Sequence, residues 1–308
     1  MRAMTYDHYG DDSVLRLAEV PDPKVGPGEV RIRVRRAGIN PVDWKVMAGG
    51  LDGLMDAWFP VIPGWDVAGV VEAVGIDTPE YTVGDEVVAY ARKDVLRGGT
   101  FAELVTMSVR GVGRKSHALS WDEAGGLPLA GLTALQTLDR LHLTAGETVL
   151  IHGAAGGVGS LAVQIAHARG ARVVASASEP NHEFLRSLGA DETVAYGDLA
   201  VDRIRAVAPD GVDVVADFVG GVLDVTTAVL AVGGRHASVA DADALGAGGS
   251  WFWVRPDAAG LETLADLADT GALRVPIAEV LPLESLAEAF TLSRGGHVRG
   301  KLVLSVSD

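Results

Sequence analysis

The chain of 308 residues carries a formal net charge of −15, contains no cysteine, and is 48% hydrophobic. This length suffices for two domains with separate cores. The acidic balance disfavours an extended nucleic-acid surface, and the lack of cysteine excludes disulfides, thiol nucleophiles and cysteine zinc sites. The N-terminus lacks a signal-peptide core and no apolar run is long enough to span a bilayer, so we expect a cytoplasmic protein without membrane partners.

The first 119 residues consist of short β-rich runs separated by glycine and proline. Examples are EVRIRVRRAG, DVAGVVEAVG and DEVVAYA, with turn signals such as PKVGPGE and YTVGDEV between them. Within Arg31–Arg36, arginine alternates with isoleucine and valine, which is typical of a strand with one solvent-exposed face. This part of the sequence predicts an antiparallel, barrel-like β-domain.

From about residue 120 onward, predicted strands and helices alternate, which indicates a parallel sheet covered on both faces. The tail, residues 281–306, has the pattern of a helix, a glycine-rich turn and a strand, and we expect it to return to the first domain. The predicted domains are therefore residues 1–119 with 271–308, and residues 120–270. Helices are predicted at Val158–Ala168, Asn181–Leu188, Val201–Val207, Leu223–Leu230 and Ala258–Ala268.

A glycine-rich loop joins the strand TVLIH to the helix that follows it. It matches the dinucleotide-binding fingerprint as an A-x-G-x-x-G variant, with Ala154, Gly156 and Gly159 in the three positions. These positions allow a tight turn, a close approach of backbone to a pyrophosphate, and close packing of helix on strand. The alternative is a tight strand-to-helix turn that binds nothing. The predicted pyrophosphate-binding residues are Ala154, Ala155, Gly156, Gly157, Val158 and Gly159.

The end of the next strand, ARVVASAS, predicts which nucleotide is bound. An acidic residue about 20 positions after the glycines binds the ribose hydroxyls of NAD, but here that position is Ala177. An acidic residue at this position would repel a 2′-phosphate, and the chain has none there. The sequence therefore favours NADPH, although Glu179 lies close by. The alternative is that the serines are ordinary strand-end residues. The predicted contacts are Ser176, Ser178, Asn181 and Arg186.

The chain resembles the medium-chain dehydrogenase/reductase superfamily, and specifically its zinc-free quinone oxidoreductase (zeta-crystallin-like) branch. The resemblance covers essentially the whole chain. It rests on motifs that include RRAGINPVDWKV, IPGWDVAGVVEAVG, LPLAGLTALQTL, VLIHGAAGGVGSLAVQIA and GHVRGKLVL. It implies an α/β protein with a GroES-like β-barrel catalytic domain, a doubly wound Rossmann domain, and an active site in the cleft between them.

The resemblance also implies site residues. Zinc alcohol dehydrogenases carry cysteine where this chain has Asn40, and Gly-His-Glu where it has Gly64–Asp66, so we expect zinc-independent chemistry. Lys45 replaces a tyrosine common in the family pattern, and we predict it as a proton donor or oxyanion stabiliser oriented by Asp43. The implied residues are Asn40 and Asp43 near the nicotinamide, Thr133 at its ribose-phosphate, Tyr196 towards the adenosine, and Phe218, Val219, Gly220, Val239, Ala240 and Lys301 along the cofactor groove.

Structural roles remain open for several of these residues. Asn40 and Asp43 fit a helix cap, Thr133 an ordinary helix position, and Lys301 a solvated strand end. The expected activity is NADPH-dependent hydride transfer to a quinone or another α,β-unsaturated carbonyl. The alternatives are an enoyl reductase of a biosynthetic pathway and a non-catalytic NADPH-binding regulatory protein.

We also expect a homodimer. The segment SWFWVRP, Ser250 to Pro256, is predicted as the terminal strand of the Rossmann sheet, apolar on both faces. A bare edge of that composition would aggregate unless a second copy covered it. The alternative is a monomer in which helix Ala258–Ala268 and a loop hide the strand.

Overall fold

A computed structural model describes residues 1–307 of the chain as two compact units. Unit 1 comprises Met1–Leu132 with the C-terminal segment from Pro256, and unit 2 is Thr133–Arg255. The strands are β1 (Arg2–Thr5), β2 (Arg16–Glu19), β3 (Glu29–Ile39), β4 (Ala57–Ile62), β5 (Asp66–Val74), β6 (Glu86–Tyr90), β7 (Leu96–Gly98), β8 (Leu104–Ser108), β9 (Val112–Arg114), β10 (Thr148–His152), β11 (Arg172–Ser176), β12 (Glu192–Val194), β13 (Val212–Asp217), β14 (Leu230–Ser238), β15 (Ser250–Trp251), β16 (Ile277–Pro282) and β17 (Lys301–Ser305).

The α-helices follow the predicted order closely. Within residues 1–307, no helix is both long and apolar enough to cross a membrane. The helices are α1 (Pro41–Met47), α2 (Trp121–Gly126), α3 (Pro128–Arg140), α4 (Gly157–Ala168), α5 (His182–Arg186), α6 (Ala200–Val207), α7 (Leu223–Val229), α8 (Ala258–Asp269) and α9 (Leu286–Arg294).

Unit 1 is built on a mixed sheet in the order β16-β17-β3-β5-β6-β9, with β8 also pairing with β3. In β3 the side chains of Val30, Ile32 and Val34 are fully buried. The intervening Arg31 and Arg33 both bind Glu72 on the opposite face, which confirms the predicted alternation. The tail returns to this unit as predicted, because β17 pairs antiparallel with β3.

Unit 2 is a parallel six-stranded sheet in the order β12-β11-β10-β13-β14-β15. This is the doubly wound order, in which β11 and β12 are added on one side of the first strand, β10, and β13 to β15 on the other, so that the strand order reverses at β10. Its core is aliphatic, since Leu150, Val174 and Val215 are fully buried among residues from α6 and α7. The α/β fold with a parallel nucleotide-binding-type sheet is therefore confirmed.

Two predicted elements are shorter in the structure. The helix expected at Asn181–Leu188 spans only His182–Arg186, because a 3-10 turn at Glu179–Asn181 that contains Pro180 precedes it. A hydrogen-bonded turn follows, in which the Gly189 amide donates to the Arg186 carbonyl.

The predicted strand SWFWVRP is also wrong in length, since pairing with β14 stops at Trp251. The chain then turns towards α3, where the Arg255 amide donates to Gln136 Oε1 and Gln136 Nε2 donates back to the Arg255 carbonyl. Phe252 is buried with the Arg140 guanidinium 4.4 Å from its ring centre. The segment is therefore not a strand with two bare apolar faces.

The unit boundaries differ from the predicted domain limits at residues 119/120 and 270/271. Helix α8 belongs to unit 1, where Glu262 Oε1 accepts a hydrogen bond from the Arg114 amide and Leu261 packs directly over Gly113. The sequence of α8 is that of an ordinary amphipathic helix and does not show which unit it packs against. The alternation of strands and helices therefore leads to its assignment to the parallel-sheet domain, whereas the structure places it in unit 1.

Candidate functional site

The carboxyl ends of four neighbouring strands of unit 2 lie at one edge of its sheet. Strands β11, β10, β13 and β14 end there at Ser176, His152, Asp217 and Ser238 respectively. Their register is direct, since His152 is paired with both Ser176 and Asp217. In open parallel sheets, ligands bind at this edge, next to the strand where the strand order reverses, which here is β10. The predicted cofactor residues of unit 2 that follow these strands are thus gathered along one edge.

The glycine loop after β10 has the geometry of a phosphate cradle. Gly153 adopts φ +67°, a left-handed conformation that disfavours other residues. A Cβ on Gly159 would lie 2.2 Å from the Gly153 carbonyl oxygen and 2.6 Å from Ala154 Cα, so only glycine fits where α4 meets the loop. The residue that makes the tight turn is therefore Gly153, one position before the predicted Ala154.

The N-terminus of α4 is open for an anion. Gly156 is the N-cap and makes no side-chain capping bond, and the first intrahelical bond is donated by Ser160 to its carbonyl. The preceding helical amides, at Gly157, Val158 and Gly159, lie at the positive end of the helix dipole. Backbone amides in this arrangement are the donor set that holds phosphate.

The end of β11 presents neutral side chains. Ala177, which stands at the position where the NAD fingerprint has an acid, is 5% exposed and uncharged. Ser176 is buried at the strand end, while Ser178 Oγ accepts a hydrogen bond of 3.0 Å from Asn181 Nδ2. Arg186 is exposed and donates to Thr193 Oγ1 at 2.8 Å.

The remaining predicted cofactor residues of unit 2 differ in their surroundings. Tyr196 is 64% and Val219 57% exposed, so both offer apolar surface after their strands. Thr133 is buried in α3, where its carbonyl accepts from Thr137 Oγ1. Phe218, Gly220, Val239 and Ala240 follow β13 and β14 and are partly or fully exposed.

A buried carboxylate that the sequence analysis does not identify organises the ends of β13 and β14. Asp217 Oδ1 accepts from the amides of Val219 and Gly220, and its Oδ2 accepts from Ser238 Oγ at 2.7 Å. His152 faces the same region, and burial lowers its pKa to about 4 against the opposing effect of Asp217, so the ring is neutral at pH 7. The sequence signal for this cluster is three polar residues at the ends of buried strands.

In unit 1, Asn40 is held in a buried network of charges. Its Oδ1 accepts from Lys301 Nζ at 2.6 Å, and its Nδ2 donates to Asp66 Oδ2 at 2.8 Å. Lys301 Nζ also donates to the Ile39 carbonyl at 2.8 Å and lies 3.8 Å from Asp66 Oδ2. The contacts that the structure gives Lys301 are thus internal to unit 1, and its predicted cofactor contact stays a prediction.

Burial shifts the proton equilibria of this network. It raises the pKa of Asp66 to about 6, against the lowering effect of Lys301, and it lowers the pKa of Lys301 itself. Asp66 Oδ1 additionally accepts from the Leu129 amide at 2.7 Å. The network fixes the Asn40 side chain on both of its polar atoms, which the sequence alone does not reveal.

Asp43 caps α1 from within. Its Oδ2 accepts a 2.8 Å hydrogen bond from the Asn40 amide, which is the reciprocal arm of a capping box. Its Oδ1 is buried with no hydrogen-bond partner among residues 1–307. Burial raises the pKa of Asp43 to about 8.

The structure does not bring Lys45 to Asp43. Lys45 is exposed, with Nζ 5.4 Å from the Trp44 ring centre, whereas Asp43 is buried. Two residues apart on a helix, the side chains point to nearly opposite faces. The predicted orientation of Lys45 by Asp43 is therefore wrong, and a catalytic role for Lys45 stays a prediction.

Comparison with known proteins finds two matching domain families and relatives that are similar over nearly the whole chain. Residues 26–116 match the alcohol dehydrogenase GroES-like domain, and residues 188–304 match a domain described as zinc-binding dehydrogenase. A chloroplastic NADPH-dependent alkenal/one oxidoreductase of Arabidopsis thaliana is 34% identical over 99% of this chain and 79% of its own length.

Solved structures are similar over the whole chain. A quinone oxidoreductase from Coxiella burnetii has a TM-score of 0.88 and 32% identity, covering 100% of this chain and 99% of that one. An NAD-dependent alcohol dehydrogenase has a TM-score of 0.89 and 31% identity, with full coverage of both chains. The likeness extends across both units.

Proposed function

The chain belongs to the quinone oxidoreductase and alkenal reductase branch of the medium-chain dehydrogenase/reductase superfamily, and from this premise we propose that it is an NADPH-dependent reductase of quinones and other α,β-unsaturated carbonyls. The observation that carries the proposal is the cradle formed by Gly153, Gly156 and Gly159 at the carboxyl end of β10. When bound there, a nicotinamide cofactor supplies the hydride.

The residues of this cradle fit a dinucleotide. A Cβ at Gly159 would collide with backbone, and Gly156 adds no side chain where the α4 amides begin. These amides bind and orient the pyrophosphate, since they point outward without a capping side chain. The exposed Tyr196 and Val219 offer apolar surface for the adenosine end and the groove.

We propose NADPH rather than NADH as the physiological donor. Ala177 places no negative charge at the strand end, so a 2′-phosphate meets no repulsion there. Ser178 Oγ accepts from Asn181 Nδ2, so the hydroxyl proton of Ser178 can be donated to a phosphate. Arg186 is an exposed cation on the helix that follows, and its bond to Thr193 Oγ1 is one that a phosphate can replace.

The residues at Asn40 and Asp66 do not fit a zinc ion. The ammonium of Lys301 already lies 2.6 Å from Asn40 Oδ1 and 3.8 Å from Asp66 Oδ2, so a cation occupies the position between them. Asn40 and Trp65 are also poor replacements for the thiolate and imidazole ligands that zinc prefers. We therefore propose zinc-independent reduction, in which the acceptor must already be electrophilic.

Stopped-flow oxidation of NADPH with a panel of quinones, enones and saturated ketones tests the proposal. We expect turnover with quinones and enones and none with saturated ketones. An enoyl reductase of a biosynthetic pathway would be restricted to thioester-type enones. Tight NADPH binding without turnover on any acceptor would favour a regulatory protein and contradict the proposal.

The predicted homodimer also remains a proposal. Strand β15 is the edge of the unit 2 sheet, and Trp251 is 38% exposed on it. Phe252 and Val254 are buried, so the apolar surface at this edge is smaller than the sequence predicts. A second copy would cover the unpaired side of β15. The expected cytoplasmic location stays a prediction.

A further inference from the structure

A small pocket lies within unit 1, beside α1. It has a volume of about 20 Å³, enough for one group the size of a water molecule. Its walls include the apolar side chains of Val46, Val61 and Trp65. A pocket of this size admits one atom or group of a larger ligand.

Three polar side chains, Tyr6, Asp43 and Lys93, are among those that line this pocket. Asp43 Oδ1 and the Tyr6 hydroxyl are buried and have no hydrogen-bond partner among residues 1–307. Tyr6 is 1% exposed and Asp43 is 3% exposed, so bulk water does not satisfy them. Lys93 also lines the pocket, and its side chain is partly exposed. Buried polar atoms usually have a partner, so Asp43 Oδ1 and the Tyr6 hydroxyl are the two atoms here that can bond a polar atom placed in the pocket.

Asp43 and Tyr6 each carry a proton at neutral pH. Asp43 Oδ2 is already an acceptor for the Asn40 amide, which leaves Oδ1 to hold the proton. Burial raises the pKa of Asp43 to about 8, with Asp66 reinforcing the rise and Lys301 opposing it. Burial also raises the pKa of Tyr6, so the phenol is protonated at neutral pH. Burial lowers the pKa of Lys93. A cluster of donors beside apolar walls suits an acceptor oxygen on an apolar molecule.

We propose that the pocket binds the carbonyl oxygen of the enone or quinone, with Asp43 and Tyr6 as its hydrogen-bond donors. This inference rests on the proposed function. When the hydride adds to the conjugated carbon, the π electrons move to the carbonyl oxygen. Asp43 gives its proton to that oxygen, and the resulting enol becomes the saturated ketone, or the hydroquinone when the acceptor is a quinone. After the product leaves, a water molecule that enters the pocket returns the proton to Asp43.

The other candidate groups are less suited to this role. Both polar atoms of the Asn40 amide are engaged by Lys301 and Asp66. Lys45 is exposed beside Trp44. Asp43 and Tyr6 are the pair that shares one pocket with unused donors.

Infrared spectroscopy of cyclohexenone bound to the protein with NADP⁺, which cannot deliver hydride, tests the contact directly. In the wild-type protein we expect the carbonyl band to move to lower frequency than in water, because donors polarise the bond. Tyr6→Phe removes one donor and should reduce that shift. Asp43→Asn replaces the carboxyl donor by a weaker amide donor without a transferable proton, and should reduce the shift by less. Each should also lower kcat/KM for NADPH-dependent cyclohexenone reduction by about 100-fold.

Tyr9→Phe is the matched control, because the Tyr9 hydroxyl bonds the exposed Asp52 at 2.9 Å and lies outside the pocket lining. It should keep the wild-type band and kcat/KM. Tyr6→Phe removes a hydroxyl with no protein partner, so its melting temperature should not fall and lost activity is not due to unfolding. Asp43→Asn also changes the cap of α1. If Asp43→Asn misfolds, the result for Tyr6→Phe alone decides the test.

A wild-type carbonyl band at its aqueous frequency, or no detectable binding of cyclohexenone, overturns the pocket assignment. The pocket assignment is also overturned if Tyr6→Phe keeps the carbonyl band and the kcat/KM of the wild-type protein. In that case, turnover by the wild-type protein still supports the proposed function. A shifted band without any NADPH oxidation has the opposite meaning, since the pocket then binds carbonyls and the proposed reductase activity fails.

Discussion

Replacing Gly159 by alanine perturbs the nucleotide cradle at one defined contact. The new Cβ would lie 2.2 Å from the Gly153 carbonyl oxygen, whereas ordinary contact begins at 3.4 Å. Backbone on both sides must therefore separate by about 1.2 Å, the difference between these distances. Overpacking of this kind costs about 1–3 kcal/mol in the free energy of unfolding, which lowers the melting temperature by several degrees.

The same displacement should weaken NADPH binding. Moving the N-terminus of α4 by an ångström loses about one hydrogen bond to a charged phosphate, worth roughly 1.5–3 kcal/mol, and so raises the Kd about 10- to 100-fold. Gly156→Ala separates the two effects. Its Cβ would meet only the Gly153 oxygen at 3.4 Å, and its φ of −76° suits alanine.

Thermal unfolding by circular dichroism and calorimetric titration with NADPH measure both quantities. We expect Gly159→Ala to lose stability and affinity, and Gly156→Ala to keep its melting temperature while binding NADPH more weakly. A Gly159→Ala protein with wild-type melting temperature and Kd would refute the packing argument. Unchanged affinity in Gly156→Ala would refute the assignment of the pyrophosphate to this loop.

Further predictions concern the nucleotide, the metal, Lys45 and assembly. Ala177→Asp should lower NADPH affinity and shift preference towards NADH in calorimetric titrations; a parent protein that binds NADH as tightly as NADPH would show that the β11 end is misread. Turnover should survive treatment with EDTA. Loss of activity that zinc restores would contradict the argument that Lys301, not a zinc ion, lies beside Asn40 and Asp66. Lys45→Met lowers kcat about 100-fold on the best acceptor if Lys45 is a donor, as predicted from sequence; an unchanged kcat makes it a surface residue. Light scattering should give a dimer mass that Trp251→Lys reduces to a monomer mass, whereas a monomeric parent ends the dimer hypothesis.

The nucleotide-binding unit could be predicted closely because its signals are local. The strand TVLIH, the glycines after it and the helix that begins at Gly157 are contiguous in sequence. Apolar runs between turn residues likewise predict the neighbouring strands. The exception is the glycine in the left-handed turn, because Gly153 and Ala154 are adjacent and the fingerprint alone does not say which of them turns.

The candidate site of unit 1 could be predicted only in part, because its contacts join distant parts of the chain. Asn40 is a helix cap by sequence, but its partners Asp66 and Lys301 are 26 and 261 residues away. Tyr6 and Asp43 meet at one pocket that no motif marks. Side-chain direction also decided the case of Lys45, since sequence proximity to Asp43 does not place two side chains on one helix face.

The central claim is that this chain reduces conjugated carbonyls with NADPH. Stopped-flow absorbance of NADPH, mixed with the metal-free protein and either p-benzoquinone, cyclohexenone or saturated cyclohexanone, tests it most directly. The account predicts NADPH oxidation with the first two acceptors, slower oxidation when NADH replaces NADPH, and none with cyclohexanone. Oxidation of NADPH by cyclohexanone that requires added zinc, or no oxidation with any acceptor despite tight NADPH binding, would contradict it.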